Sequence, residues 1–353
     1  MNPLVLAYKR LYEGFNYRLR TIAAERWADY CRPTSIILVL TDRCTARCVH
    51  CDIWKNRGRE ETPTPQEWRT LLTDLRRWLG PVQVVFSGGE ALMQPYAGDL
   101  VRHAVEAGLV VEVLSHGYWN NQERIERLAS ANPWRITISL DGIGATHSFI
   151  RGRSDFFEKT STSLQTLERI RREQRRQFKI RLKTVVMQHN LNEVHKVAHY
   201  AAARPGFEVF YQPIEQNYNT EEDPHWYEHS DNWPSDPNRA VTVVQQLINL
   251  KREGLPIANS FAQLEAMKPY FLRPDVFRLT TQSHSAHERR TLCSALTTLE
   301  IQASGDVFTC TRREPVGNIR NQPIRQIWES RPQWWRAGCC QQNSCTCTES
   351  HDE

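Results

Sequence analysis

Six short runs rich in Val, Ile, Leu and Phe alternate with longer stretches of helical period, and this alternation constrains the fold more than any other feature. The apolar runs span residues 35–40, 82–86, 110–114, 135–140, 179–187 and 207–211; the helical stretches span 65–79, 95–107, 121–129, 156–174 and 192–203. Near-continuous apolar runs of this length read as parallel strands covered on both faces. A strand–helix alternation joins such strands through right-handed crossovers. Six units are too few to close an eight-unit barrel. The pattern therefore predicts an α/β fold, a partial (β/α)6 open barrel. Pro95 suits a first helical turn and Asn192 an N-cap. Chemistry in such folds gathers at the C-terminal ends of the strands.

The unusual residues all fall on that rim. Cys44, Cys48 and Cys51 follow the first strand, and Ser87-Gly88-Gly89-Glu90 follows the second. Ser115-His116-Gly117 follows the third, and Ser139 and Asp141 close the fourth. The chain has 10 cysteines, and its opening, MNPLVLAYKRLYEGF, lacks the apolar core of an export signal. That points to a reducing, cytoplasmic setting in which clustered thiols are metal ligands rather than disulfides. Cys31 stands alone and reads as a buried core thiol. The opening itself reads as an amphipathic helix packed on the main domain. No apolar run reaches the roughly 18 residues needed to cross a bilayer. The net charge of +5 is mild, and the basic run RIRREQRRQFKIR lacks interleaved aromatics. It reads as a solvated helix end, so no nucleic-acid partner is expected.

Three thiols in one loop pose a specific question, because a closed thiolate site usually takes four. If they hold a cubane iron–sulfur cluster, its fourth iron is left to a chelating small molecule. The spacing Cys44-x-x-x-Cys48-x-x-Cys51 resembles the CxxxCxxC signature of radical S-adenosylmethionine (SAM) enzymes, with His50 where that family often has an aromatic. Gly88-Gly89-Glu90 resembles the family's GGE motif, whose backbone and carboxylate receive the methionine amino group. Ser139-Leu140-Asp141-Gly142, followed by Ile150-Arg151-Gly152, is similar to the segment that contacts the ribose and carboxylate of SAM. The resemblance covers roughly residues 34–212. It implies a SAM-binding [4Fe-4S] cluster on Cys44, Cys48 and Cys51, with Gly88, Gly89, Glu90, Ser115, Ser139, Asp141 and Arg151 around SAM. A carboxylate at Glu90 suits an ammonium, and a guanidinium at Arg151 suits a carboxylate. The implied reaction is one-electron cleavage of SAM to methionine and a 5′-deoxyadenosyl radical, which takes a hydrogen atom from the substrate.

A second cysteine group lies near the C-terminus. Cys293 and Cys310 flank two predicted strands, at 298–302 and 307–309, around a Gly305-Asp306 turn; a short helix follows at 324–329. The spacing resembles the opening of the twitch and SPASM auxiliary-cluster domains. The resemblance implies an auxiliary [4Fe-4S] or other iron–sulfur cluster on Cys293 and Cys310 with Cys339 or Cys340 and Cys345. The supply of cysteines favours the one-cluster twitch form. A structural zinc site takes the same ligands. The resulting organisation is a helical extension over 1–33, the barrel core over 34–236, a helical linker over 237–290, and a small β-hairpin/helix iron–sulfur domain over 291–347.

The candidate catalytic groups are His116, after the third strand, and Glu215, just past the sixth. Tyr218, His225, Trp226, Tyr227 and Trp233 belong to an aromatic stretch that either shapes a pocket or packs between the domains. The substrate is a peptide or a small molecule, oxidised, epimerised or joined by a new bond. A flavodoxin or ferredoxin is the electron donor the resemblance implies. The competing reading is a zinc- or iron–sulfur-bound scaffold, or an RNA-modification adaptor, without radical chemistry.

Overall fold

The computed structural model describes residues 3–22, 30–56, 61–218, 220, 221, 223, 225–274, 296–310 and 314–331. Six parallel strands appear where the apolar runs place them: β1 (Ser35–Val39), β2 (Gln83–Ser87), β3 (Val110–Ser115), β4 (Arg135–Ser139), β5 (Lys179–Val186) and β6 (Phe207–Pro213). They pair in chain order, each parallel to the next. The sheet continues past β1. A seventh strand, β7 (Thr298–Ile301), pairs parallel to β1; β8 (Asp306–Phe308) and β9 (Gly317–Asn318) then add antiparallel. The sheet is thus nine-stranded and open, with β6 and β9 at its ends. The hairpin around Gly305 extends the barrel sheet, so β1 is an interior strand.

The helices are α1 (Pro3–Ile22), α2 (Pro65–Leu79), α3 (Ala97–Glu106), α4 (Glu123–Ala131), α5 (Ala145–Arg151), α6 (Phe156–Glu173), α7 (Val194–Ala202), α8 (Pro237–Arg252), α9 (Phe261–Leu272) and α10 (Ile324–Ser330). Helix α2 begins on a full capping box: the Thr64 hydroxyl accepts from Glu67 N–H, and the Glu67 carboxylate receives Thr64 N–H. Pro95 and Asn192 do not play the parts expected of them. Tyr96 and Glu193 are the capping residues of α3 and α7. Helix α5 had no sequence signal, being only seven residues long.

The helix-facing side of the sheet carries the main core. Ile36 and Leu38 of β1, Val84 and Phe86 of β2, Leu299 and Ile301 of β7 and the inner faces of α2 and α3 share one apolar cluster. The opposite, concave side is mixed: Val85 and Val110 are buried there as expected, beside the buried polar groups Gln83, Glu112, Arg135 and Thr137. Strand β5 alternates strictly, with Ile180, Leu182 and Val186 in the core. Its other side carries Arg181 and Lys183. Deep in the concave side, Glu112 pairs with Arg135 and accepts from Thr137 Oγ1 at 2.6 Å and Gln83 Nε2 at 3.3 Å. The buried charges of Glu112 and Arg135 thus neutralise each other, as a low-dielectric interior requires.

The β6 edge is covered by the segment before α9. Val209 N–H donates to Pro256 O, and Tyr211 N–H donates to Asn259 Oδ1. Helix α1 docks through its tyrosines, Tyr8 to Leu79 O and Tyr12 to Pro33 O. Cys31 is fully buried beside it. The basic run forms the exposed end of α6 and the turn after it. No helix of the described residues is long and apolar enough to cross a membrane.

Candidate active site

Beyond β1 the chain leaves the sheet through Thr41, Asp42 and Arg43 and enters the loop of Cys44, Cys48 and Cys51. All three thiols are free. They gather with Ala46, Phe156 and Tyr118 in a small apolar cluster, with Cys48 buried and the other two half-buried. The loop is pinned from three sides. From the β2 turn, Gly89 N–H donates to Thr41 O (2.7 Å) and Glu90 N–H to Arg43 O (2.9 Å). Against α5, Arg47 N–H donates to Arg151 O (3.1 Å) and Val49 N–H to Ile150 O (3.0 Å). From the segment after β6, Tyr218 O accepts Asp52 N–H (3.0 Å), and Asn217 and Asn232 amides reach Val49 O.

Glycine makes these approaches possible. A Cβ on Gly88 would sit on the carbonyl oxygen of Thr41, one on Gly89 on that of Arg43, and one on Gly152 on that of Arg47. Gly88 and Gly152 also hold φ of +138° and +76°. The Gly88-Gly89 pair, read from sequence as room for a ligand, here makes room for the cysteine loop itself.

Glu90 is buried and caps the short turn Ala91–Met93. Its Oε1 accepts Leu92 N–H (3.2 Å), its Oε2 accepts His116 N–H (2.7 Å), and the Ser115 hydroxyl also bonds to it. Burial outweighs these donors and pushes the carboxyl up to about 7. His116 lies behind the loop, its ring against Trp119 and Phe156. Its Nδ1 accepts Tyr118 N–H (2.9 Å), which puts the ring proton on Nε2, 3.0 Å from Thr45 Oγ1. Burial drives the imidazole down to about 3, so it is neutral. The 3.2 Å approach of Nδ1 to Glu90 Oε2 is therefore not an ion pair. His116 ties the Glu90 turn to the cysteine loop.

Asp141 and Arg151 are both buried and bind each other. Arg151 places Nε (2.7 Å) and Nη2 (2.6 Å) on Asp141 Oδ2, and its Nη1 lies 3.5 Å from Cys48 Sγ. Asp141 Oδ1 accepts Val185 N–H (2.9 Å). Burial alone would raise the Asp141 carboxyl, but Arg151 and nearby histidines hold it below the usual range. The guanidinium expected to meet a ligand carboxylate is thus committed to Asp141 and to a cysteine. Another cation stands free nearby. Lys183 pairs in register with Ser139 and with Phe210 on the concave face. No hydrogen bond or ion pair reaches its ammonium among the described residues, and its charge acts on His50. Sequence reading passed over Lys183 because the strand was taken as apolar throughout; the alternate spacing of Lys179, Arg181 and Lys183 was the available signal.

Residues 38–201 match the Radical SAM superfamily, and residues 293–348 match the SPASM iron–sulfur cluster-binding domain. The chain belongs to the radical SAM superfamily. Among relatives of this radical SAM enzyme, the AdoMet-dependent heme synthase of Methanosarcina barkeri is 27% identical over 311 residues, 84% of this chain and 82% of that protein. The PqqA peptide cyclase of Rhodopseudomonas palustris is 37% identical over 116 residues, but those are 32% of this chain and 30% of the cyclase. The fold is similar to that of Streptococcus suis SuiB bound to SAM (TM-score 0.62, 14% identity, 88% of this chain and 68% of that one). It is also similar to anSMEcpe with bound SAM (TM-score 0.61, 13% identity, 89% of each chain). The C-terminal match is to the SPASM form, where the sequence favoured twitch.

The superfamily binds a [4Fe-4S] cluster and SAM, and the SPASM domain binds auxiliary iron–sulfur clusters. The donor set fits the first of these. Three soft sulfur ligands lie on one loop, packed with Ala46, Phe156 and Tyr118. Burial pushes the Cys44 thiol up to about 12 and raises Cys48 and Cys51 as well, so loading iron must displace thiol protons. Among the described residues no three His, Cys, Asp or Glu side chains converge on a single ion.

The other expected residues divide. Ser139 ends β4 on the concave face. Glu215 is half-buried past β6, with Gln212 Nε2 3.4 Å from its Oε1. Trp226 and Trp233 pack edge-on to each other, and Trp233 packs on Tyr270 and Phe271 of α9, so that part of the aromatic stretch is core. His225 is exposed and bonded to Glu228. Cys310 follows β8 and is half-buried. Cys293, Cys339, Cys340 and Cys345 lie outside the described residues.

Proposed function

We propose that this protein cleaves SAM reductively at the Cys44–Cys48–Cys51 loop and abstracts hydrogen from a peptide or small-molecule substrate held in the concave face of the sheet. The carrying observation is the three-thiol loop, half-buried, free of disulfides and locked to the Glu90 turn and the Arg151 helix. When bound, the cluster supplies one electron to the sulfonium of SAM, which yields methionine and a 5′-deoxyadenosyl radical. The chain's own residues position the reactants. Glu90, at the rim beside Cys44, receives the methionine ammonium. Lys183 takes the methionine carboxylate, and Ser139 lies beside it for the ribose. Arg151 and Asp141 brace Cys48 from beneath, and His116 holds the Glu90 turn to Thr45. Cys310 and the cysteines beyond the described residues hold the auxiliary site.

The relatives point both ways on substrate. A peptide cyclase acts on a peptide and SuiB is described bound to a precursor peptide, whereas a heme synthase makes a small molecule. The reading places the protein in the cytoplasm with a flavodoxin or ferredoxin as electron donor. Anaerobic reconstitution with iron and sulfide, followed by reduction with SAM, tests it. The expected product is 5′-deoxyadenosine. Cys48→Ala is expected to abolish its release while the auxiliary absorbance persists. A reconstituted protein that releases none overturns the reading.

A further inference from the structure

The C-terminal hairpin contributes a carboxyl that none of the steps above uses. Glu300 is the third residue of β7, in register with Ile37 of β1. Its neighbours Leu299 and Ile301 face the helix-side core, so Glu300 faces the concave side, the face proposed to hold substrate. Its Oε1 accepts Gln302 Nε2 at 2.6 Å, and among the described residues its Oε2 has no partner. Among the described residues no cation pairs with it. Surrounding protein pushes the carboxyl up to about 7, yet the side chain is only half-buried and still meets solvent. That combination marks the wall of a cleft rather than a core.

Tyr218 joins this wall to the cluster loop. Its backbone bridges Cys51 and accepts Asp52 N–H, while its phenol bonds the Gln302 amide. Gln302 is thus shared between the phenol and Glu300. Asp42, whose charge acts on the same phenol, lies just ahead of the cysteine loop. A polar string therefore runs from the three-thiol loop to the hairpin. A carboxylate left unpaired beside apolar Ile37 and Val85 is costly to fold around. Such groups recur where a ligand supplies the missing partner.

We propose that Glu300, oriented by Gln302 and Tyr218, is the docking point for a cationic group of the substrate, a primary ammonium or guanidinium. The assignment rests on the reading that substrate enters the concave face. A charged donor on Oε2 completes a carboxylate whose other oxygen is already held, and it fixes the substrate at the end of the string that leads to Cys51. Negatively charged substrate groups are turned away at this end of the cleft by Glu300 and Asp42 together.

Ligand-observed NMR on the reconstituted full chain tests this with simple probes. n-Butylammonium is expected to bind the wild type, to bind Glu300→Gln at least tenfold more weakly, and to bind Glu300→Asp detectably, because that variant keeps the charge. Butyrate is expected to bind none of them. Equal affinity of butylammonium for wild type and Glu300→Gln overturns the proposal, as does its failure to bind the wild type. If Glu300→Gln does not fold, loss of butylammonium binding in Glu300→Asp to the level of butyrate overturns it instead. Release of 5′-deoxyadenosine by the wild type is read separately: its absence strikes the radical SAM reading and leaves the docking result standing.

Discussion

Arg151 shows how partners decide what a residue does. A guanidinium next to a cysteine loop reads from sequence as a ligand anchor. Its two hydrogen bonds to Asp141 leave only Nη1 directed at Cys48. Nothing in the sequence marks the pairing, because ten residues and a helix separate the two side chains. Lys183 is the reverse case, ordinary in sequence and unpaired among the described residues. If it receives the SAM carboxylate, Lys183→Met is expected to weaken SAM binding about tenfold or more, the weight of one charge-assisted hydrogen bond. Decarboxylated SAM is expected to bind Lys183→Met and wild type alike. Calorimetry on the reconstituted proteins with both ligands checks this; parallel losses for the two ligands would remove Lys183 from the carboxylate.

At the scale of elements, the strands and most helices were legible because their signals are local. Apolar runs bounded by turns marked all six barrel strands, and the helical period over 65–79 marked α2, which the structure starts on the Thr64–Glu67 capping box. The failures were matters of context. Pro95 and Asn192 are good starters by type, but the chain enters α3 and α7 a residue or two later. The α5 helix is legible only in space: its last turn supplies Ile150 O and Arg151 O to the cysteine loop, and Gly152 lets that loop come close. Gly152→Ala forces a side chain onto Arg47 O at a left-handed φ. It is expected to cut iron bound by the three-thiol loop to less than half while far-ultraviolet circular dichroism stays unchanged. Full iron content in Gly152→Ala would mean that this approach is not needed to shape the loop.

For the whole molecule, the sequence conveyed an open parallel barrel with its motifs on one rim, but not the continuity of the sheet. Strand β7 pairs with β1 some 260 residues earlier in the chain (Thr298 with Ser35), and no local pattern announces a pairing of that separation. Its consequence is functional: Glu300 on the hairpin and Cys51 on the rim come to share one polar string through Tyr218. The rim itself works as a unit, with Glu90, His116, Thr45, Asp141 and Arg151 all tied to the thiol loop, and Arg151 reaching Cys48 Sγ directly. The proposed function places an iron corner open to SAM at this rim. Electron paramagnetic resonance of the reduced protein decides it most directly, recorded on Cys293→Ala/Cys310→Ala so that the loop cluster dominates the spectrum. Added SAM is expected to shift the g-values of that cluster. A spectrum unchanged by saturating SAM would contradict the account.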